Sequence, residues 1–194
     1  MNEAIGLSGV SEGAWPFVAP EPEAQHYYTR VGSPIGELLL IGRADALTGL
    51  YMLGGPHGST APVPPGARRD ATVFATVTAQ LEAYFGGERT EFEVPLSPAG
   101  SPFQLEVWAE LTRIPYGTTR SYGEQARRLG KPLSASRAVG AANGQNPISI
   151  IVPCHRVIGA DGSLTGYGGG LERKETLLRL EQAPAMMALD ATLF

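Results

Sequence analysis

The stretch that decides the fold is Asn146-Pro-Ile-Ser-Ile-Ile-Val-Pro-Cys-His-Arg-Val157, which joins a short apolar run to the only cysteine of the chain. Residues 148–152 are mostly β-branched and lie between two prolines, a pattern that predicts a short buried strand ending at Pro153. Such a strand brings Cys154 to the edge of the core, directly before His155. Most free cysteines are small buried hydrophobes, so the surroundings of this thiol must decide whether it is a nucleophile.

Composition limits the classes of protein that fit. A single cysteine among 194 residues excludes an internal disulfide framework and a multi-cysteine zinc site, so a reducing, cytoplasmic location fits best. We expect no cofactor and no metal. Residues 1–25 lack the pattern of a signal peptide, and no apolar run approaches the length of a membrane span, so no membrane association is expected.

Charge is divided unevenly along the chain. Residues 1–110 carry five Arg against thirteen Asp and Glu, whereas residues 111–194 carry ten Lys and Arg against six Asp and Glu. A basic second half is a hint of polyanion binding, although solvated surface charge alone produces similar divisions.

The first half reads as a small sheet domain. Residues 1–25 are expected to be a flexible lead-in, with Trp15 and Phe17 as packing anchors. Short breaks separate three predicted strands of an antiparallel meander, at 26–31, 36–42 and 47–53. A loop over 54–70 with a solvated His57, a helix over 72–85 and an edge strand over 90–95 complete the prediction. We therefore expect 26–97 to be a small α/β domain without a catalytic constellation.

The second half contains two helix starts, Ser101-Pro-Phe-Gln104 and Ser121-Tyr-Gly-Glu124. Each has a serine N-cap and a Gln or Glu three residues later, which is the pattern of a capping box. Helices are predicted from 102 to 114, from 122 to about 129, from 135 to 143 and from 171 to 181. We expect 98–194 to be a mainly helical domain, which makes the whole chain α+β.

The short helices at 122–129 and 135–143, joined by a tight turn, are typical of a helix-turn-helix. An αα-hairpin that packs against its own protein explains the pattern equally well. Four cations in or beside the hairpin favour DNA binding, since phosphate contacts need them: Arg127, Arg128, Lys131 and Arg137.

A cysteine becomes a useful nucleophile when a base or positive charge favours its thiolate. His155 is adjacent, but neighbouring side chains in an extended strand point to opposite faces. For His155 to act as the base for Cys154, the chain must turn or begin a helix after Pro153, or a water must bridge the two side chains. The histidine also needs an orienting carboxylate, and spacing alone does not choose among the candidates on the last helix, Glu172, Glu175 and Glu181.

Several of these motifs, taken together and in order, resemble the O6-alkylguanine-DNA alkyltransferases. The resemblance spans roughly residues 26–181. It rests on residues 146–157 and on five further segments: Ile114-Pro-Tyr-Gly117, Ser121-Tyr-Gly123, Ser136-Arg-Ala-Val-Gly140, Asn143-Gly144 and Gly166-Tyr-Gly-Gly-Gly170. It is specific because separate motifs recur in the family's order.

The resemblance implies stoichiometric DNA repair by direct reversal. An O6-alkylguanine in duplex DNA, and by extension O4-alkylthymine, would flip into a pocket and lose its alkyl group irreversibly to Cys154. His155 would deprotonate the thiol through a water, and Glu181 would orient His155. Asn146 would brace the hinge between the helix-turn-helix and the active-site strand, and Tyr122 would turn the nucleotide's phosphate and protonate the leaving guanine.

The resemblance also implies how DNA is held. Arg137 would fill the gap left by the flipped base, with the recognition helix in the minor groove. The remaining DNA contacts are expected from Ser121, Tyr122, Ala135, Ala138 and Ala142, and the base pocket from Val157, Leu164, Tyr167, Gly168 and Gly169. Gly168 stands where some members have a serine that contacts the guanine oxygen. The protein is expected to be a monomer in solution, with cooperative binding on DNA left open.

Two other classes of function compete with this one. A cysteine hydrolase would use Cys154 and His155 but would turn over on an ester or amide, and it would not need a basic helix-turn-helix beside the thiol. A helix-turn-helix binder without catalysis would treat Cys154 as inert core, so Cys154→Ser would leave its activity intact.

Overall fold

The computed structural model describes residues 16–55 and 63–184. Its first half contains a four-stranded sheet of β1 (Tyr27–Val31), β2 (Leu38–Gly42), β3 (Leu47–Met52) and β4 (Arg68–Arg69). The strand order is β3-β2-β1-β4, and β1, β2 and β3 pair antiparallel, which confirms the predicted meander. All five residues of β2 are buried, so this central strand anchors the core of the first half.

Helices dominate the second half, as predicted. The α-helices of the described residues are α1 (Ala75–Phe85), α2 (Pro102–Leu111), α3 (Tyr122–Arg128), α4 (Ser136–Gly144) and α5 (Leu171–Leu180). Both capping boxes form, because the side chains of Ser101 and Ser121 each accept from the backbone N–H three residues later. Two short strands, β5 (Arg120–Ser121) and β6 (Val157–Ile158), pair in parallel beside α3.

The prediction of a strand over residues 148–152 is wrong. Ile148 makes an isolated bridge to Leu50 of β3, and the backbone then turns, so that Val152 N donates to Ile148 O at 3.0 Å. Ile150 has a φ of 71°, in the left-handed region that β-branched residues rarely adopt. A run of apolar β-branched residues indicates burial, and it fits a buried turn as well as a buried strand.

The predicted edge strand over residues 90–95 is also absent. The segment is irregular, and Gln80 of α1 holds it through its side-chain amide, which accepts from Glu93 N at 2.9 Å and donates to Glu93 O at 3.2 Å. Bridges to Leu47 and Phe17 are made one residue later, by Leu96. The side-chain amide of Gln80 therefore makes the backbone hydrogen bonds that a neighbouring strand would otherwise make.

The segment predicted as a loop over 54–70 contains β4, which pairs in parallel with β1 through Tyr27 and Arg68. Phe17, predicted as an anchor, is 9% exposed and belongs to the core. Trp15 and His57 lie outside the described residues.

One hydrophobic core runs through both halves of the chain. It joins buried residues of the sheet, such as Leu50, to buried residues of the second half, such as Trp108 and Ile148. Two backbone hydrogen bonds link β3 directly to the segment before Cys154: Leu50 N donates to Pro147 O at 2.8 Å, and Ser149 N donates to Leu50 O at 3.1 Å. The sheet thus fixes the position of the active-site segment.

Candidate active site around Cys154

Cys154 begins a single turn of 3-10 helix, Cys154–Arg156, directly after Pro153. Its side chain lies at the floor of a cleft and is buried, with 7% exposure. Asn146 fixes the approach to this turn, because its amide Nδ2 donates to Val152 O at 2.8 Å and to Cys154 Sγ at 3.2 Å. The asparagine's Oδ1 accepts from Ile148 N at 3.0 Å, so one side chain closes the whole buried turn.

His155 contacts Glu181 rather than either of the other carboxylates on the last helix. Its Nε2 lies 2.8 Å from Glu181 Oε1, and both side chains are fully buried. Glu175 instead pairs with Arg179 on the surface of α5. The helical turn required after Pro153 is present, so the geometry singles out Glu181 among the candidates.

Glu181 is surrounded by donors. Arg156 donates from Nε to Oε2 at 2.8 Å and from Nη2 to Oε1 at 2.9 Å, and Tyr84 donates its hydroxyl to Oε1 at 2.7 Å. Burial alone would raise the pKa of the Glu181 carboxyl, but the hydrogen bonds and charges of His155 and Arg156 outweigh it and lower this pKa to about 2. The carboxylate is therefore ionised and accepts hydrogen bonds from His155, Arg156 and Tyr84.

The charge on Glu181 determines which nitrogen of His155 carries the proton. An ionised carboxylate only accepts, so Nε2 must be the protonated nitrogen, and Nδ1 then carries a lone pair. Burial lowers the pKa of His155, against the opposing effect of Glu181, so the ring is neutral. Nδ1 is buried and has no hydrogen-bond partner among the described residues. A neutral ring with a free lone pair is suited to accept a proton.

Burial raises the pKa of the Cys154 thiol, and the hydrogen bond from Asn146 and the charge of Lys174 act in the opposite direction. The thiol is therefore protonated in the resting protein. It needs a base at the moment of reaction, which matches a neutral histidine next to it in the chain.

Lys174, to which the sequence reasoning assigned no role, lies buried beside the site. It is fully buried on α5, and its Nζ donates to Val157 O at 2.6 Å and to Thr165 O at 2.8 Å. Burial lowers its pKa to about 8, so it keeps its charge at neutral pH. The available signal was a lysine on the same apolar face of the helix as Leu177, Leu178 and Glu181.

Tyr122, the first residue of α3, reaches the loop that follows β6. Its hydroxyl donates to Thr165 O at 3.1 Å and to Gly166 O at 3.3 Å. Ser121 immediately before it caps α3 by accepting from Glu124 N and donating to Glu124 Oε2 at 2.8 Å. The Tyr122 hydroxyl is therefore held against this loop, whereas the Ser121 hydroxyl is engaged in the helix cap.

A cavity of about 210 Å³ opens beside the thiol. Its walls include Cys154, Asn146, Tyr167, Gly168 and Gly169. The other lining residues come from the sheet, from the end of α4 and from the segment before the thiol: Tyr51, Met52, Asn143, Gly144, Gln145 and Ser149. The cavity is small and directly adjacent to the sulfur, so it suits one flat ring or its substituent.

Two of the predicted pocket residues do not line this cavity. Val157 is completely buried in β6, where its carbonyl accepts from Lys174. Leu164 packs against a separate cluster of Ile158 and Leu178. The resemblance placed the whole loop at the pocket, but the loop folds back on α5 before it reaches Tyr167.

The exposed face of α4 carries part of the predicted DNA surface. Arg137 and Ala138 are exposed, Ala135 is half-buried, and Arg137 makes no hydrogen bond or ion pair within residues 16–55 and 63–184. The prediction that Ala142 contacts DNA is wrong, because Ala142 is 3% exposed and its carbonyl accepts from Trp108 Nε1 at 2.8 Å. Helical periodicity places it with Val139 on the buried face of α4.

Comparison with known families identifies this arrangement. Residues 26–98 match the family model for the ribonuclease-like domain of 6-O-methylguanine DNA methyltransferase, and residues 102–183 match the model for its DNA binding domain. The chain therefore belongs to the 6-O-methylguanine DNA methyltransferase family, which confirms the resemblance seen in the sequence.

Individual relatives agree with this assignment. A methylated-DNA–protein-cysteine methyltransferase of Mycolicibacterium paratuberculosis is 54% identical over 164 residues, covering 84% of this chain and 97% of the relative. One from Methanosarcina acetivorans is 51% identical and covers 80% of this chain and 97% of the relative. The crystal structure of Mycobacterium tuberculosis OGT in complex with DNA is 53% identical, with a TM-score of 0.75, and covers 84% of this chain and 98% of that one.

Residues 16–55 and 63–184 contain neither a candidate membrane span nor a candidate metal site. No helix there is long and apolar enough to cross a bilayer. No group of three or more His, Cys, Asp or Glu side chains in the same residues is arranged to hold a metal ion.

Proposed function

We propose that this protein repairs DNA by direct reversal, moving the alkyl group of an O6-alkylguanine in duplex DNA onto Cys154. The observation that carries the proposal is the buried thiol next to a histidine whose Nε2 is held by an ionised glutamate, inside a domain of a DNA-binding family. DNA is accordingly the partner. The two family models meet between residues 98 and 102, which supports the predicted division of the chain into 26–97 and 98–194.

The reaction follows from the charges of the site. Through one water, His155 Nδ1 takes the proton of the thiol, and Glu181 stabilises the resulting imidazolium. The Cys154 sulfur forms a bond to the first carbon of the alkyl group while the bond from that carbon to guanine O6 breaks, and the bonding electrons pass to the guanine. The Tyr122 hydroxyl supplies the proton that the leaving guanine needs, and the proton on His155 returns to the tyrosine through solvent.

Single use is a consequence of the product. The sulfur leaves the reaction as a thioether, which has no ionisable proton and is not a leaving group for water at neutral pH. The charge of Lys174 favours the thiolate before the reaction, but it does not help to break the carbon–sulfur bond of the thioether. Each protein molecule therefore accepts one alkyl group.

The base must leave the helix to reach this thiol. Cys154 lies 7% exposed at the floor of its cavity, whereas the O6 atom of a stacked guanine is enclosed by its neighbours. We infer that α3 and α4 act as a helix-turn-helix in the minor groove, with Ala135 and Ala138 allowing close approach and Arg137 entering the gap in the stack. Such binding reads little sequence, as repair at any position requires.

Finer proposals follow from the same chemistry. O4-alkylthymine presents an equivalent bond between oxygen and alkyl carbon, so it is a second substrate. We further propose a monomer in solution and a cytoplasmic location, where a reducing environment keeps Cys154 a thiol. Cooperative clustering of molecules on DNA is a separate proposal, tested by the steepness of a DNA-binding isotherm.

The decisive experiment incubates the protein with duplex DNA that carries one O6-methylguanine and maps the methyl group by mass spectrometry. We expect one methyl per protein molecule, on Cys154, and none in Cys154→Ser, which still binds the duplex. A methyl on another residue, or repeated turnover by each molecule, would defeat the proposal and favour a hydrolytic or other catalytic use of the thiol.

A further inference from the structure

The cavity beside Cys154 has walls from both halves of the chain. One wall consists of the end of α4, the segment before the thiol and the loop at Tyr167–Gly169. The opposite wall consists of Tyr51 and Met52, the last two residues of β3. No sequence motif marks these two residues, and the sheet to which they belong has no role in the reaction proposed above.

Met52 makes close contact with the loop across the cavity. Its thioether sulfur lies 3.9 Å from the Tyr167 hydroxyl, and the side chain is 5% exposed. A Cβ added to Gly169 would come within 2.8 Å of the same sulfur. Met52 therefore sets how closely the loop approaches the sheet, and so the width of the cavity at that point.

Tyr51 is the more accessible part of the wall. It is half-buried, and its ring lies along the strand over Gly49, where an added Cβ would fall 2.5 Å from Cε2. Burial raises the pKa of the Tyr51 hydroxyl, so the ring presents a neutral surface. Tyr51 and Met52 therefore both contribute to the lining of the cavity on this side.

The position of this wall relative to the sulfur is fixed. The backbone of Leu50, directly before Tyr51, exchanges two hydrogen bonds with Pro147 and Ser149 of the active-site segment, at 2.8 and 3.1 Å. Tyr51 and Met52 consequently do not move with the exposed loops. A fixed apolar wall next to a reacting carbon is a device that discriminates by size.

We propose that Tyr51 and Met52 form the wall against which the alkyl group lies and that they set the largest alkyl group that Cys154 accepts. This inference rests on the proposed function and deepens it. The cavity of about 210 Å³ must hold the flipped guanine together with its alkyl group, so the position of this wall limits the size of the alkyl group that fits beside the base. The transfer step is unchanged: the sulfur bonds to the first carbon of the group, and the guanine leaves with O6.

The test compares second-order rate constants of transfer from duplex DNA with O6-methylguanine, O6-butylguanine or O6-benzylguanine. Tyr51→Ala enlarges the cavity and is expected to raise the ratio of the benzyl rate to the methyl rate about tenfold, the effect of a few methylene groups in an apolar pocket. Met52→Phe fills it and is expected to lower the ratio of the butyl rate to the methyl rate about tenfold.

Tyr28→Ala is the matched control, since Tyr28 is a half-buried tyrosine of β1 in the same sheet and does not line the cavity. Its ratios should stay within twofold of those of the unaltered protein. The proposal would be overturned if the ratios in both Tyr51→Ala and Met52→Phe also stayed within twofold of those of the unaltered protein. It would equally be overturned if a variant lost the same fraction of its rate with all three substrates. If Met52→Phe does not fold, Tyr51→Ala decides alone. Failure of the proposed function itself would look different, because the unaltered protein would then transfer no methyl group to Cys154.

Discussion

Two buried carboxylates of this protein invite comparison, Glu110 on α2 and Glu181 at the end of α5. They are 3% and 2% exposed, and each is paired with arginine. Glu110 accepts from Arg113 at 3.0 Å and from Arg120 and Arg128 at 2.7 Å each. Burial acts to raise the pKa of Glu110, but the arginines outweigh it and the net shift is downward, as for Glu181.

The difference lies in the partners. Two of the arginines around Glu110 are about half exposed, and the three bring together α2, β5 and α3, so this region connects elements of the fold. Glu181 contacts a histidine that is itself fully buried and adjacent to a thiol. A buried, charge-balanced carboxylate is therefore no sign of catalysis by itself, and the identity of its partner is what distinguishes the two regions.

The largest expected effect separates the two carboxylates directly. Glu181→Gln can no longer stabilise the imidazolium of His155, and the rate of alkyl transfer should fall at least about 100-fold, the usual contribution of a general base. Glu110→Gln, the matched control, should change that rate less than about threefold in the folded protein. Single-turnover kinetics with O6-methylguanine duplex measure both. Equal losses in the two variants would show that the comparison does not separate catalysis from structure.

The second prediction concerns the stability of the fold at low pH. The pKa of Glu181 in the folded protein is about 2, below its ordinary value of 4.5, so the stabilisation from its charge is complete above pH 4.5 and is lost as the pH falls towards 2. Glu181→Gln lacks this charge. The difference in the free energy of unfolding between the two proteins should therefore shrink by about 3 kcal/mol between pH 5 and pH 2. Urea unfolding at a series of pH values measures it, and a difference independent of pH would contradict the assignment.

Lys174 provides a third test, with a smaller effect. Its charge favours the Cys154 thiolate, so Lys174→Met should raise the pKa of the thiol and slow alkyl transfer about tenfold. The pH dependence of the reaction of Cys154 with iodoacetamide reports the pKa directly. Lys174→Arg, which keeps the charge, should recover part of the rate.

Lys131, whose Nζ lies 3.8 Å from Glu106 on the surface, is the control for Lys174. Lys131→Met removes the same charge far from the thiol and should leave the pH dependence of the iodoacetamide reaction where it was. An unchanged pH dependence in Lys174→Met would instead limit this lysine to holding the carbonyls of Val157 and Thr165.

The smallest effect is expected on the DNA surface. Arg137→Ala should slow transfer from duplex DNA about fivefold and leave transfer from the free base O6-benzylguanine unchanged, because only the duplex has a gap to fill. Arg113→Ala removes an equally charged but Glu110-bound residue, and its duplex rate should fall less than about twofold. Equal loss of rate on duplex and free base would remove Arg137 from its proposed role.

Local chemistry explains what could be predicted from the sequence. The two capping boxes form as expected, because a serine and a Gln or Glu three residues later need only each other and the backbone between them. The three strands at the start were similarly marked by short apolar runs and turn residues. These elements are determined within about ten residues of chain.

The rest depends on contacts between distant parts of the chain. The turn at 148–152 is held by Asn146 and Leu50, so its apolar residues alone could not distinguish it from a strand. Tyr84 reaches Glu181 across 97 positions, and spacing on the last helix could not choose that glutamate until the family resemblance and then the geometry did. The Ala142 prediction failed because small residues lie on both faces of α4.

The contact between Leu50 and Ile148 also covers the outer edge of the sheet. β3 is the last strand in the order β3-β2-β1-β4, and an uncovered edge strand is a template for pairing with other chains. The active-site segment occupies that edge in this protein. Cutting the chain between its two halves would therefore leave one fragment prone to aggregation and the other without the support for its thiol, so the halves are expected to unfold together in one cooperative transition.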